Sequence, residues 1–491
     1  MEEFYDDWIK RKKYWFSQND ENDKYLCEKY GYLIDEKIED NNLISPIIKI
    51  LIYDQLTRHY YRKENNKHIL NYFNNKALRI VEKYKNSEYI NSLDINDWIF
   101  YMLVYRHSNN RENILYVMDE CWKREPIPKN FIKATYMRAN FEEKLERYYN
   151  DEIEYDKSIL DNNSSLEISK EILYKIGYFN KIEEKKIIIS LSGGVDSVVC
   201  LYNICRLYKD RDIKALHINY NNREEVDEEV KFLRTLCKKL NVELYVRRID
   251  EIKRKKCMIN DLRDIYEIYT KKIRFNSYRV FGENPIVILG HNKDDCLENI
   301  LTNIAYNNKY ENLKGIEYEC DIENIKFIRP LIDISKDEIY KFGNNHNLPY
   351  LKNSTPDWCQ RGKIRNEIKP VLYKWDKRLI DGLFNLSEIM TNYNEILKHT
   401  IERFKIREIG KLEELNISKI YWKYGIYKVY RKYISNKSLK SMIERLELWK
   451  IKYDKIDINK QIKIIINKNI ELIIIKRIEN NYEYILNKKM I

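Results

Sequence analysis

Apolar residues in the first third of the chain recur at spacings of three and four, as in Ile47, Ile48, Leu51, Ile52 and Leu56. This spacing predicts amphipathic helices over residues 1–165, with no strand-like alternation among them. From residue 186 the texture changes. Short apolar runs at 187–191, 213–218, 242–246 and 286–289 alternate with helical stretches. Strands spaced by helices predict βαβ units, a parallel sheet and right-handed crossovers. Ligands of such sheets bind at the carboxyl ends of the strands. After Pro370 the helical pattern returns, and the chain closes with apolar runs at 462–466 and 470–475 around Asn467-Lys468-Asn469, the pattern of a β-hairpin. The acidic, Asn- and Ser-bearing stretch 150–165 is the expected linker. Three domains are therefore expected: an all-helical one over 1–165, an α/β one over 166–375, and a helical one with a closing hairpin over 376–491.

Ser192-Gly193-Gly194-Val195-Asp196-Ser197 falls between the strand at 187–191 and a helix at 198–207. A strand-to-helix turn collects backbone N–H groups and the positive end of a helix around an anion. Two glycines let the backbone curl closely around phosphate oxygens, and two serines add hydroxyls. Asp196 would repel phosphate, so its expected task is to hold Mg²⁺ bridging pyrophosphate oxygens. The loop lacks the GxxxxGK[ST] spacing of the commonest phosphate-binding loop.

Behind the strand at 286–289 come Gly290, His291, Asp294, Asp295 and Glu298, whose spacings gather the carboxylates on one helical face beside His291. Acidic residues at a solvated helix start would produce the same pattern. Arg361 and Arg365, four apart, fall on one face of an expected helix, suited either to RNA phosphate or base contacts or to ordinary ion pairs.

The loop resembles the PP-loop of N-type ATP pyrophosphatases, which adenylate a substrate and release pyrophosphate. Gly290-His-Asn-Lys-Asp-Asp-Cys-Leu-Glu298 is similar to the GHxxDDxxET stretch of tRNA(Ile)-lysidine synthases. In the same order follow their other blocks: His217-Ile-Asn219 with Arg223 for HVNHGLR, Arg274 for ARY, Arg329-Pro330-Leu331, and Arg361 to Pro370 for RNRIRxxLLP. The chain departs from the pattern at Asn353, where an acidic residue is usual nearby, and at Gly362, where the family has Asn. The resemblance implies an adenine nucleotide alpha hydrolase-like PP-loop fold and a cytoplasmic ligase that uses ATP and Mg²⁺ on tRNA, with lysine as the amine that displaces AMP. It implies Ser192 to Ser197 and His291 at ATP, Asp196 and Asp295 at the metal, and Asp196, Arg274, Asp294 and Asp295 in catalysis. Arg223, Glu298, Arg361 and Arg365 are implied at tRNA or substrate. A PP-loop tRNA thiolase and an adaptor that binds nucleotide and tRNA without catalysis are the alternatives.

In the N-terminal part, Tyr14-Trp15-Phe16, Asp54-Gln55 with Arg58 and Arg62, and Tyr101 through His107-Ser108 resemble an uncharacterised bacterial all-helical family with TPR-like packing. Asp54, Arg58 and His107 are expected to form either a site or a buried polar network fixing helix packing.

Composition changes this picture in three places. With 491 residues the chain exceeds one core, in keeping with several domains. The net charge of +12 is concentrated, with 22 Lys and Arg against 11 Asp and Glu in residues 401–491. That segment is the expected tRNA contact, where Tyr421, Trp422, Tyr424, Tyr427 and Tyr430 interleave with Lys and Arg; an aromatic helix core with Lys outside is the alternative. Nine cysteines without CxxC pairs predict reduced thiols and no zinc site, and they favour an amine over sulfur chemistry. Met1-Glu2-Glu3-Phe4 opens no signal peptide pattern, and no apolar run approaches about 18 residues.

Overall fold

A computed structural model of the protein describes residues 1–16, 19–35, 38, 41–62, 66–108, 110–139, 143–148, 154, 156–160, 187–208, 212–222, 224–306, 312–352, 360–403, 409–411, 419–430, 434–451, 461–466, 470–476 and 482–488. The chain forms two units, residues 1–293 with 318–354, and residues 294–317 with 355–491. The expected boundary near 165 lies outside the described residues.

The first unit is built on a seven-stranded sheet. Its strands are β1 (Glu146–Tyr148), β2 (Ile187–Ser190), β3 (Ile213–Asn219), β4 (Glu243–Arg248), β5 (Ile286–Ile288), β6 (Glu319–Ile322) and β7 (Ile325–Ile328). The order is β1-β4-β3-β2-β5-β7-β6. The five inner strands run parallel, and β1 and β6 pair antiparallel at the edges. β2 is three consecutive buried isoleucines, as befits a strand covered on both faces. The strand order turns back between β2 and β5, so the segments leaving these two strands flank the switch point where such sheets place ligands.

Residues of alternating parity feed two cores. Ile187, Ile189, Ala215, Val246 and Ile288 pack under the helices Val195–Leu207, Val226–Lys239 and Lys336–Asn345. Ile188, Leu216, Ile218, Val287 and Phe327 face the helix Arg263–Arg279, and this second core runs on without interruption into the N-terminal helices through Trp8, Leu51, Tyr53, Trp98 and Ile132. Each such side chain contributes roughly 1.5–3 kcal/mol on burial. The helices themselves begin at side-chain caps, Asn19, Asn66, Asp94 and Asn110.

The N-terminal part is thus not purely helical. β1 extends the sheet by pairing Glu146, Arg147 and Tyr148 with Val246, Tyr245 and Leu244. Beside it, buried Arg247 bridges Glu143 and Glu251, each at 2.5 Å, and Tyr136 Oη donates to the Glu251 carbonyl at 2.7 Å.

The second unit carries the helix Lys293–Ala305 from Asp294 onward, the helix Arg378–Arg403, and a four-stranded antiparallel sheet, β8 (Ile409–Lys411), β9 (Gln461–Ile465), β10 (Ile470–Lys476) and β11 (Tyr482–Lys488). The expected hairpin is its β9–β10 pair, closed further by β11. Trp422 is 1% exposed and meets Tyr484 edge-on at 5.9 Å, and Tyr430 Oη donates to the Leu486 carbonyl. These two aromatics serve the unit's own core, so the alternative of an aromatic core is the one observed at these two positions. Among the described residues no helix is long and apolar enough to cross a membrane.

Candidate active site

The loop at 192–197 closes on one buried hydroxyl. Ser197 Oγ accepts from the Ser192 and Gly193 N–H groups at 3.2 and 3.1 Å and donates to the Gly194 carbonyl at 2.9 Å. Ser192 Oγ accepts from the Gly194 N–H at 3.4 Å. Ser197 therefore shapes the loop, while exposed Ser192 borders its mouth. Gly194 caps the helix Val195–Leu207 and has no side chain to offer its first turn. An uncapped N-terminus at the carboxyl edge of a parallel sheet is an anion cradle.

Two glycines make this geometry possible. Gly193 has φ +86°, the left-handed region, and a Cβ there would stand 2.3 Å from Leu351 Cδ1. At Gly290, directly behind β5, a Cβ would stand 3.0 Å from the Ser197 nitrogen and 3.1 Å from the Asp196 carbonyl carbon. The turn after β5 thus runs against the backbone of the loop helix.

Asp196 sits in the first helical turn, where Asn292 Nδ2 donates to one carboxylate oxygen at 3.0 Å and Lys336 Nζ pairs with the other at 2.5 Å. Neither partner was expected from the loop motif. Lys336 lies 140 positions away, and its only local signal is the capping box Ser335–Glu338, which starts its helix and sets it beside Asp196. His291 follows Gly290 in the same turn. His217 is buried, its Nδ1 2.9 Å from the Leu191 carbonyl at the loop's entry.

Arg274 is half-buried on the helix that returns the chain from β4 to β5. One turn later Tyr278 Oη donates to Ser190 Oγ, at the end of β2, at 3.0 Å. Arg274 stands one helical turn before Tyr278 on that helix.

The other expected residues fall in the second unit and form a set of their own. Buried Glu298 accepts from Arg365 Nε and Nη2 at 3.0 and 2.6 Å, and Arg361 Nε is 3.8 Å from its other oxygen. Arg365 Nη2 is also 3.8 Å from Asp295, and Lys369 pairs with Asp294. Burial pushes the Glu298 carboxyl above its ordinary range, with Arg365 pulling against it and Asp295 adding to it. The helical spacing of Arg361 and Arg365 passes into a π-helical turn, Ile364–Ile368, yet both side chains reach Glu298. Arg223 and residues 353–355 lie outside the described residues.

The donor set at Asp196 fits a Mg²⁺ ion of the usual kind. Asp196 supplies a hard carboxylate, and among the described residues no group of three or more His, Cys, Asp or Glu could hold a metal ion by itself.

Residues 168–372 match the PP-loop domain family, and residues 4–164 match a family described as a bacterial protein of unknown function (DUF924). The chain is 28% identical over 300 residues to a tRNA(Ile)-lysidine synthase of Mycoplasma mycoides, covering 57% of this chain and 71% of that protein. It is 26% identical over 238 residues to that of Staphylococcus aureus, covering 46% of this chain and 53% of the relative. Over 258 residues it is 28% identical to that of Clostridioides difficile, covering 50% and 54%. The chain thus carries a PP-loop domain and spans about half the length of the last two relatives.

Proposed function

We propose that this protein is a ligase that modifies tRNA at the expense of ATP, adenylating a base carbonyl and then exchanging the adenylate for an amine. The observation that carries the reading is the uncapped helix behind Ser192 to Ser197, with Asp196 in its first turn, at the switch point of a parallel sheet. The tRNA(Ile)-lysidine synthases to which the chain is similar support lysine as the amine, and the resemblance carried by the motif blocks implies cytidine as the base.

In this mechanism the first-turn N–H groups bind the β- and γ-phosphates and leave the α-phosphorus facing the base. Asp196 would hold a Mg²⁺ ion, which when bound would supply positive charge for the departing pyrophosphate. The carbonyl oxygen of the base bonds to the α-phosphorus as the bond to the β-phosphate oxygen breaks. Arg274 offsets the charge gathering on the phosphoryl oxygens. The amine nitrogen then bonds to the activated ring carbon, the carbon–oxygen bond breaks, and AMP leaves. Lysine arrives as an ammonium, so a base must first remove a proton; Asp294 or Asp295 takes that part. Arg361, half-exposed, and Arg365 meet the RNA.

Purified protein given ATP, Mg²⁺, total tRNA and radiolabelled lysine is expected to place label in tRNA only when ATP is present. Pyrophosphate release without label would remove lysine from the reading and turn attention to a sulfur or other donor. Gly290→Ala is expected to lower pyrophosphate release about 100-fold while the circular dichroism spectrum stays native, because the new methyl meets backbone atoms of Asp196 and Ser197 and moves the cradle. A wild-type rate in that variant would show that turn and loop yield together.

A further inference from the structure

The helical N-terminal part holds a second polar centre that the ATP chemistry leaves unused. The π-helical turn Leu51–Leu56 carries Asp54 fully inward, with its side chain 0% exposed. Its carboxylate accepts from Arg58 Nε and Nη2 at 3.1 and 3.0 Å, Asn74 Nδ2 at 3.3 Å, Gln55 Nε2 at 2.5 Å and His107 Nδ1 at 2.8 Å. Asp54 is therefore saturated from within and has nothing left for a ligand.

What surrounds it is cationic. Arg58 spends only Nε and Nη2 on Asp54. Arg106 is 8% exposed, lies over the Phe131 ring at 5.2 Å, and has no carboxylate within 4.0 Å among the described residues. Arg138 ends the helix that carries Phe131, is exposed, and likewise lacks an ion pair among the described residues. His107, pinned through Nδ1, is 17% exposed. Arg58 and Arg138 both act on Arg106 as like charges, and guanidiniums so placed repel one another unless an anion joins them.

We propose that Arg58, Arg106 and Arg138, with His107 oriented by Asp54, form a binding site for a phosphate monoester. The charges choose the ligand class: three guanidiniums less one carboxylate leave two positive charges, the complement of a monoester dianion and twice what a carboxylate carries. The planar fork of each guanidinium suits tetrahedral phosphate oxygens. Burial, reinforced by Arg58 and Arg106 and opposed by Asp54, holds His107 down to about 4. The ring is then neutral near pH 7 with its proton on the Asp54 side, so Nε2 is an acceptor and the phosphate oxygens are left to the guanidiniums. Burial and the neighbouring charges of Arg138 and Arg58 bring Arg106 down to about 10, the mark of cations held together.

The test is equilibrium dialysis of the full chain against radiolabelled inorganic phosphate, with a saturating non-hydrolysable ATP analogue to keep the loop at 192–197 occupied. About one further equivalent of phosphate is expected, with binding at least tenfold weaker in Arg58→Gln and in Arg138→Glu. The second variant changes only an exposed side chain, so it keeps the test valid if the first disturbs folding. Displacement by AMP would identify small monoesters as the source; displacement by a 5′-phosphorylated oligonucleotide but not its 5′-hydroxyl twin would identify a strand end. No saturable uptake, equal affinity in both variants and wild type, or phosphate that no monoester displaces would each overturn the site.

Discussion

Asp196→Asn is expected to lower ATP-dependent pyrophosphate release by about 10²–10³-fold while leaving the thermal unfolding midpoint nearly unchanged. The asparagine keeps an oxygen for Asn292 Nδ2, so the turn after β5 stays tied to the loop helix. What disappears is the charge. Lys336 loses this carboxylate, and the loop loses the one acidic residue among 192–197 that could hold a divalent cation against nucleotide phosphates. The Asp196–Lys336 pair is partly solvated, with side chains 23% and 12% exposed, so its loss costs about 1 kcal/mol or less of stability. Lys336→Ala separates two roles for the lysine. If the ammonium leaves Asp196 for the phosphates when ATP binds, this variant raises the KM for ATP and slows release, and the double variant is little worse than Asp196→Asn alone. If Lys336 is only a counter-ion, Lys336→Ala turns over like the wild type. Steady-state pyrophosphate assays on the four proteins decide between them, and an Asp196→Asn enzyme with the wild-type rate would remove Asp196 from the machinery altogether.

The parts of this site that could be read in advance are those where local chemistry and position coincide. Three isoleucines, two glycines and an acidic first turn are consecutive in the chain, and a buried parallel strand followed by an anion-binding turn requires just those residue types in that order. Lys336 was invisible because its role depends on a crossing of two segments 140 positions apart. Its helix start could be read from Ser335 and Glu338, but its neighbour could not. β1 was hidden for another reason. Glu146-Arg147-Tyr148 is a short polar edge strand with no alternation to detect, and its pairing with β4 comes from the tertiary context. The β6–β7 hairpin turns on Glu323 and Asn324 with φ of +52° and +63°. Asn favours that region and Glu does not, so only half of the turn signal is present. The fate of Trp422 was legible only as an alternative, since a Tyr- and Lys-rich helix reads equally as a stacking surface or as a core stripe. In the N-terminal part Asp54, Arg58 and His107 stood out as polar groups within apolar helices, and the structure does join them; the cations of Arg106 and Arg138 became relevant only once the helices Ile95–His107 and Lys129–Arg138 were side by side.

Arg365→Ala is expected to destabilise the second unit by about 3 kcal/mol, the lower end of the loss when one partner of a buried ion pair is removed. Glu298 is 3% exposed, and two of its closest contacts are the Nε and Nη2 of Arg365. Without them the carboxylate keeps, among the described residues, Arg361 at 3.8 Å and half in solvent, and it remains beside Asp295. The pH dependence follows in sign. Burial already raises the Glu298 carboxyl above its ordinary value of 4.5, so the folded unit binds this proton more tightly than the unfolded chain. Such a group costs nothing below 4.5, and stability falls as pH rises from there through the folded value. Arg365 opposes that rise in the wild type. In Arg365→Ala the opposition is gone, the folded value climbs further, and the window of falling stability extends to higher pH. Urea midpoints measured from pH 5 to 8 should therefore decline more steeply in the variant than in the wild type. Glu298→Gln placed in the same background should recover much of the loss and flatten the slope, because an amide carries no charge into the interior. Parallel slopes for Arg365→Ala and wild type would mean that water reaches Glu298 and solvates it, and the pair would then be a surface contact whose arginine is available to RNA at little cost.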